Sequence, residues 1–223
     1  MNMFINGKAA RPALRTRWDA ALFLHYQVPP EELRVRVPFT LDLHEGRAIV
    51  SVVAVGVHPP FVARQCFLNA RTYVRPAGIH FLTGWISNPM SGLLASHFAG
   101  IPYRTGRFST AWGAEGGRVS APEGTFRFRA AIAPEATFVR CAPGSLDEFL
   151  LERYAAFTLR GGRRRVVHLA HAPWLQTAAR VTVDDPGLLL AAEPWLRHAR
   201  LIGAHATAPL DDVRMAPPSE LTP

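Results

Sequence analysis

The chain has 223 residues, of which 48% are hydrophobic and 19% are charged, a balance typical of a globular protein and unlike that of a disordered one. No apolar stretch approaches the roughly 20 residues of a membrane-spanning helix, and residues 1–17 lack the apolar run and cleavage site of a signal peptide. The formal net charge of +8 comes mostly from arginines spread along the chain. The only lysine is Lys8, which argues against lysine Schiff-base chemistry.

The domain organisation is read from the absence of linkers and low-complexity runs. We expect a single domain over 1–223, with a core from about 15 to about 207 and a frayed tail from Met215 onward. Cys66 and Cys141 are interpreted as two thiols in a reducing cytoplasm, with a disulfide as the alternative. No metal-ligand spacing is present, so we expect no metal site and no cofactor. The sequence leaves a homo-oligomer open.

Strands dominate the N-terminal half of the chain. We predict them over residues 18–28, 41–44, 47–57, 67–75 and 79–87. Pro30 and the two glutamates after it favour a short helix between the first two strands. The strand 47–57 is dense in β-branched residues and is predicted to be largely buried.

The C-terminal half combines further strands with two short helices. A helix from Asn88 is predicted to end at Gly100, and a capping box of Ser145 and Glu148 begins another helix that runs to about Tyr154. Further strands are predicted over residues 103–112, 125–132, 155–159, 166–170, 177–183 and 198–207. Many antiparallel strands with few helices predict an α+β fold, with an antiparallel sheet that curls toward a barrel.

An arginine cluster at residues 160–165 surrounds a Gly-Gly pair between two apolar runs. This pattern predicts a hairpin turn with a solvated tip. Clustered arginines could instead contact phosphate. No RNA-binding aromatic motif or recognition helix accompanies them, so we expect no nucleic-acid partner.

The strand 67–75 is the most informative candidate site. Its period-two alternation places Asn69, Arg71 and Tyr73 on one face. An arginine inside a sheet needs a carboxylate or a ligand to offset its desolvation. Arg71 is therefore interpreted either as a fork for a substrate carboxylate or as a structural partner of an acid such as Glu152. A solvent-facing side of the sheet is a third alternative.

The histidines give weaker indications. His25 lies on the first predicted strand, between Leu24 and Tyr26, as a ligand-binding or catalytic candidate or as a buried structural residue. His168 and His171 would face opposite sides of a strand, which argues against a two-histidine metal pair.

Several segments together resemble a known family. They are FLHYQVP after Trp18, LNARTYVRPAGIHFL, GIPYRTGRFS, PGSLDEFLLERY and HLAHAPW. Their order and spacing are similar to those of the YqjF-like family of uncharacterised proteins, within the acetoacetate decarboxylase-like superfamily. The resemblance implies an antiparallel sheet that curls into a cone-like barrel around a small apolar pocket with charged groups at its base.

The same resemblance bears on mechanism. In the decarboxylases a Gly-Phe-Pro-Lys-Lys segment supplies the Schiff-base lysine and a second lysine that lowers its pKa. The similar segment here reads Gly100-Ile-Pro-Tyr-Arg104, so tyrosine replaces the nucleophile, and arginine cannot attack a carbonyl because it stays protonated. Relatives tend to carry an acid two residues before the asparagine, where this chain has Phe67.

Three hypotheses follow. The first is a pocket for a small anionic molecule such as a keto acid, with Arg71 or Arg104 holding the anion. Tyr73, Asn69 and His25 would complete the binding site, and Tyr103 would donate a proton if there is turnover, in a lyase- or isomerase-type reaction. The second is a non-catalytic interaction module in which large side chains fill the pocket. The third is nucleic-acid binding through the 160–165 turn.

Overall fold

The computed structural model describes residues 4–5, 8–9 and 14–221. The strands are β1 (Phe4–Ile5), β2 (Lys8–Ala9), β3 (Leu14–Trp18), β4 (Leu22–Val28), β5 (Ala48–His58), β6 (Gln65–Val74), β7 (Gly78–Ile86), β8 (Tyr103–Thr105), β9 (Arg107–Phe108), β10 (Gly116–Ala121), β11 (Gly124–Ala131), β12 (Val139–Arg140), β13 (Ala155–Arg160), β14 (Arg163–Ala170), β15 (Leu175–Ala178), β16 (Arg180–Asp185), β17 (Arg200–Thr207), β18 (Leu210–Met215) and β19 (Ser219–Glu220). The helices are α1 (Pro30–Arg34), α2 (Pro89–Leu94), α3 (Leu146–Leu151) and α4 (Gly187–Ala192), with a π-helical turn at Ala95–Ala99 and a 3₁₀ turn at Pro194–His198. Within the described ranges, no helix has the length and hydropathy to cross a membrane.

Seven strands close into a barrel in the order β5, β3, β18, β14, β13, β7, β6, with β6 pairing back to β5. Neighbours in this ring are antiparallel except β13 and β7, which run parallel, and β8 also runs parallel to β7. The predicted α+β fold with a sheet curled into a barrel is confirmed. The sheet is mixed, because β7 meets both β13 and β8 in the parallel direction.

The sheet also extends beyond the barrel, and a second sheet covers its outside. Strands β4, β17, β15 and β12 continue from the edge of β5, and β16, β11, β10 and β9 form the separate sheet. Successive residues of β5 point to opposite faces. Val52 and Ala54 enter the core beneath the second sheet, whereas Val53 and Val55 enter the barrel interior. Both faces of β5 are covered, as its β-branched sequence predicts.

Local signals define most element ends. Asn88 caps α2 by accepting a hydrogen bond from the amide of Ser91 at 3.1 Å, and Gly100 ends the π-helical turn with φ of +68°. The Gly161-Gly162 pair forms the predicted hairpin turn between β13 and β14. Ser145 accepts from the amide of Glu148 at 3.2 Å. The helix it begins stops at Leu151, earlier than predicted.

Two predicted strands are each divided between two sheets. Residues 103–112 contain β8, which lies along β7, and β9, which joins the second sheet after a break at Gly106. Residues 177–183 are divided at Ala179 between β15 and β16. A continuous apolar pattern does not reveal such a change of partner, because both sheets bury one face of each segment.

The prediction of a frayed tail from Met215 is wrong over the described residues. β18 closes the barrel between β3 and β14, and β19 pairs with β14 beyond it. Glu220 also pairs with Arg163 at 3.0 Å. Backbone pairing holds this segment despite its prolines, and residues 222–223 lie outside the described part.

Candidate functional site

The candidate site forms along a row of residues that crosses three adjacent strands. His25 of β4 pairs with Ser51 of β5, which pairs with Arg71 of β6. Residues that pair directly across a sheet point to the same face. Asn69 and Tyr73 lie two positions on either side of Arg71 and share that face. The strand register therefore brings together four of the predicted site residues.

Arg71 is desolvated and has no acidic partner within the described residues. Its guanidinium lies over the ring of Phe23, 5.1 Å from the centroid, and its Nε is buried without a hydrogen-bond partner. Desolvation is the main cause that lowers the pKa of Arg71. Glu152 accepts instead from the hydroxyl of Tyr154 and from the amide of Trp174. The alternative of an ion pair between Arg71 and Glu152 is not realised.

Tyr103 reaches the same region from β8. Its ring lies against Gly84 of β7, where an added Cβ would come within 2.7 Å of a ring carbon. The rings of Phe67 and Phe81 pack around it, with centroids 5.4 and 6.1 Å away. Burial raises the pKa of Tyr103 far above its usual value, although Arg71 and Asn69 oppose this. The phenol therefore stays neutral at physiological pH.

Arg104 does not join this group. It follows Tyr103 on β8 and points to the opposite side, as alternation along a strand requires. Its side chain is 52% exposed, pairs with Glu123 at 3.2 Å and lies over the ring of Trp85. Of the predicted Tyr-Arg pair, only the tyrosine faces Arg71.

Tyr73 and His25 are the most deeply buried members of the group. The Tyr73 hydroxyl lies 2.5 Å from Ser51 Oγ and 2.9 Å from the carbonyl of Leu150. His25 Nδ1 lies 2.7 Å from Ser51 Oγ, and its Nε2 lies 3.0 Å from Nδ1 of His205. Burial, together with the charges of His205 and Arg71, holds the pKa of His25 well below its usual value. His25 is therefore neutral.

Sequence reasoning missed Ser51, His205 and His171 as neighbours of this site. Ser51 and His205 carry no local motif, and only the pairing of β4 with β5 and β17 brings them to His25. His171 packs among aromatic rings, including Tyr154 at 4.8 Å, and no metal-ligand group of three or more side chains forms within the described ranges. The pattern HLAHAPW was the only available signal for His171.

Two clefts open on the surface away from Arg71. The larger, of about 860 Å³, lies between the two sheets and includes Arg64 and Trp112. The smaller, of about 460 Å³, lies beside α3 and includes Arg47 and Arg200. Neither cleft includes Arg71 or Tyr103.

Comparison with known proteins identifies the family. A model for the uncharacterized conserved proteins of DUF2071 matches residues 15–207. The chain belongs to the DUF2071 family. This DUF2071 protein is 26% identical over 213 residues to the uncharacterized protein YqjF of Bacillus subtilis (strain 168), covering 84% of this chain and 87% of YqjF. The resemblance to the YqjF-like family is confirmed.

Solved structures confirm the acetoacetate decarboxylase-like fold of this DUF2071 protein. An acetoacetate decarboxylase aligns with a TM-score of 0.64 at 9% identity, over 95% of this chain and 91% of the other. The enduracididine biosynthesis enzyme MppR complexed with pyruvate aligns with a TM-score of 0.60 at 12% identity, over 95% and 91%. At such identities the likeness establishes the fold alone.

Proposed function

We propose that this protein binds a small carboxylate, of the keto acid class, inside its barrel at Arg71. The observation that carries the proposal is the desolvated Arg71 guanidinium, which has no acidic partner among the described residues. A buried charge costs several kcal/mol unless a counter-charge offsets it. A bound carboxylate supplies that counter-charge, and a guanidinium can hold it through two parallel hydrogen bonds.

Two further polar groups lie beside Arg71, one of them an acceptor and the other a donor. Asn69 Oδ1 is buried without a partner two residues from Arg71, and the neutral phenol of Tyr103 lies near both. Arg71 and Tyr103 also retain some accessible surface. A keto acid would accept from Arg71 and Tyr103 through its carboxylate and carbonyl oxygens.

The class of ligand also agrees with the structural relatives. MppR has the same fold and was solved with pyruvate. The chemistry of this chain must differ from that of a Schiff-base decarboxylase, because Lys8 is its only lysine and Tyr103 occupies the segment similar to the lysine pair. We therefore propose that the protein is not an acetoacetate decarboxylase. If there is turnover, Tyr103 would donate the proton while Arg71 stabilises the developing negative charge in a lyase- or isomerase-type step.

The test is thermal unfolding with pyruvate and acetoacetate, in the wild type and in two matched variants. Arg71→Met removes the desolvated guanidinium, whereas Arg104→Met removes an exposed arginine on the other side of β8. We expect both acids to raise the melting temperature of the wild type and of Arg104→Met, but not of Arg71→Met. Stabilisation that survives in Arg71→Met, or is absent from the wild type, would contradict the proposal.

A second candidate function is a non-catalytic interaction module that uses the same barrel with a filled interior. The rings of Phe67 and Phe81 pack directly on Tyr103, and this favours a crowded barrel. The two candidates differ in one measurable respect. A filled barrel would give no stabilisation by any keto acid, and Phe67→Ala would then open a space that admits small apolar molecules.

We also propose a cytoplasmic location, without nucleic acid or a membrane as partner. Cys66 and Cys141 are both free thiols, as is usual in a reducing compartment. In the turn that could have contacted phosphate, Arg163 and Arg165 are engaged by Glu220. Retention of the protein on a DNA or RNA column at physiological salt would contradict this part of the proposal.

A further inference from the structure

A continuous row of polar groups leads from the surface to Tyr73. Asp147 Oδ1 of α3 lies 3.2 Å from Nε2 of His205, with side chains 40% and 12% exposed. His205 Nδ1 lies 3.0 Å from His25 Nε2, and His25 Nδ1 lies 2.7 Å from Ser51 Oγ. Ser51 Oγ lies 2.5 Å from the Tyr73 hydroxyl. Every step is within hydrogen-bond distance, and exposure falls inward.

The chemistry of the groups allows two arrangements of their protons. An ionised Asp147 only accepts, so a neutral His205 must donate from Nε2 and accept at Nδ1. His25 then donates from Nε2, Ser51 donates to His25, and Tyr73 donates to Ser51. The carbonyl of Leu150 lies 2.9 Å from the Tyr73 hydroxyl. In this neutral arrangement it accepts no hydrogen bond from Tyr73, because the Tyr73 hydrogen points to Ser51.

One additional proton on His205 reverses the direction of the hydrogen bonds from His205 to Tyr73. When His205 is an imidazolium, it donates to Asp147 from Nε2 and to His25 from Nδ1. His25 must then donate from Nδ1 to Ser51, Ser51 donates to Tyr73, and Tyr73 donates to the carbonyl of Leu150. All five contacts are satisfied in this arrangement.

We propose that Asp147, His205, His25 and Ser51 are a proton relay between the surface and Tyr73. When water or a bound acid donates a proton to the Tyr73 oxygen, the proton already there passes to Ser51. Ser51 passes its own proton to Nδ1 of His25, and His25 passes its Nε2 proton to Nδ1 of His205. The net change is one proton moved from Tyr73 to His205, where Asp147 stabilises the imidazolium; the reverse sequence delivers a proton inward.

The charges around the row define where the proton rests. His205 is faced by Asp147 from α3 and by His25 from β4, and His25 is faced by Arg71 from β6. Arg71 disfavours a cation at His25, whereas Asp147 favours one at His205. A carboxylate bound to Arg71 would offset that positive charge, so its binding would draw a proton into the row. This last step rests on the proposed function, but the relay itself does not.

The relay is tested without ligand by ¹⁵N NMR of the histidine side chains between pH 8 and pH 5. We expect the hydrogen of His25 to move from Nε2 to Nδ1 in the same transition in which His205 gains its proton. His80 provides an internal reference. Its Nδ1 lies 2.8 Å from the carbonyl of Phe157, which only accepts, so the hydrogen should stay on Nδ1 throughout. In Asp147→Asn the transition of His205 should shift to lower pH. A tautomer of His25 that is unchanged while His205 titrates would overturn the relay.

A second measurement counts protons during binding. Calorimetric titration of the wild type with pyruvate, in buffers of different ionisation enthalpy, should show uptake of close to one proton at a pH just above the His205 transition. His205→Gln should still bind pyruvate but show little uptake, since Arg71 is unchanged. Uptake that persists in His205→Gln would contradict the relay. Absence of pyruvate binding in the wild type would contradict the proposed function and leave the NMR result to decide the relay.

Discussion

Two neighbouring arginines, the partly exposed Arg71 and the buried Arg153, differ in how their charges are compensated. Arg153 donates to Asp42 at 2.9 Å and to the carbonyl of Phe149 at 2.7 Å, and its guanidinium lies 4.2 Å from the ring centroid of Phe149. Arg71 has a ring beneath it but no carboxylate within the described residues. Asp42 compensates the charge of Arg153, whereas no carboxylate of the described residues compensates the charge of Arg71.

The two arginines should therefore respond in opposite directions to the same substitution. Arg71→Met removes an uncompensated charge and keeps an unbranched apolar chain, so the free energy of unfolding should rise by about 1 kcal/mol or more. Arg153→Met leaves Asp42 without its closest partner and should lower it by about 3 kcal/mol. Urea denaturation of both variants gives the comparison. A loss of stability in Arg71→Met similar to that in Arg153→Met would show that Arg71 has a structural role.

At the scale of single elements, β8 depends on one glycine of β7. Gly84 pairs with Tyr103, and an added Cβ would meet the Tyr103 ring at 2.7–2.8 Å and the carbonyl of Leu68 at 3.1 Å. The carbonyl belongs to the backbone and moves little, so the ring must move. The absence of a side chain at Gly84 allows the Tyr103 ring to pack directly against β7.

Gly84→Ala should therefore disturb the site as well as the fold. We expect a loss of about 1–3 kcal/mol in the free energy of unfolding, as for other overpacked positions, and a smaller stabilisation by pyruvate because Tyr103 is displaced. Gly203→Ala on β17 is the matched control, since nothing lies within 4 Å of its added Cβ. Unfolding in urea with and without pyruvate measures both effects. Equal results for the two variants would rule out this role of Gly84.

The strands 67–75 and β8 show which parts of the site could be predicted from the sequence. Alternation along the strand 67–75 is a local property, and it correctly placed Asn69, Arg71 and Tyr73 on one face. Alternation also requires Tyr103 and Arg104 to diverge, but the side that faces the barrel depends on how β8 pairs with β7. The contact of His25 with His205 joins residues 180 positions apart. No local pattern encodes such a register, because it arises only when the barrel and its extension assemble.

At the scale of the whole molecule, the burial of histidines sets the response to acid. Five histidines have a pKa lowered mainly by desolvation: His25, His80, His168, His171 and His205. In the unfolded chain each would titrate near its ordinary value of about 6.5. Below that pH the unfolded state binds more protons than the folded state, so acid favours unfolding. Burial raises the pKa of Glu193, so protonation of this one carboxylate favours the folded state. Its effect opposes that of the five histidines but comes from a single group.

The free energy of unfolding should therefore be nearly constant between about pH 7 and pH 8 and fall as the pH drops from about 6.5 toward 5. Each histidine that stays neutral in the fold contributes up to about 1.4 kcal/mol per pH unit below 6.5, and His25, fully buried beside Arg71, should contribute its full share. Urea denaturation across this range measures the slope. His25→Gln should reduce the slope by about one proton, and His80→Gln, which leaves the relay intact, should reduce it by a smaller amount. A wild-type stability that stays constant down to pH 5 would mean that buried histidines other than His205 also take up protons in the folded state, contrary to their burial.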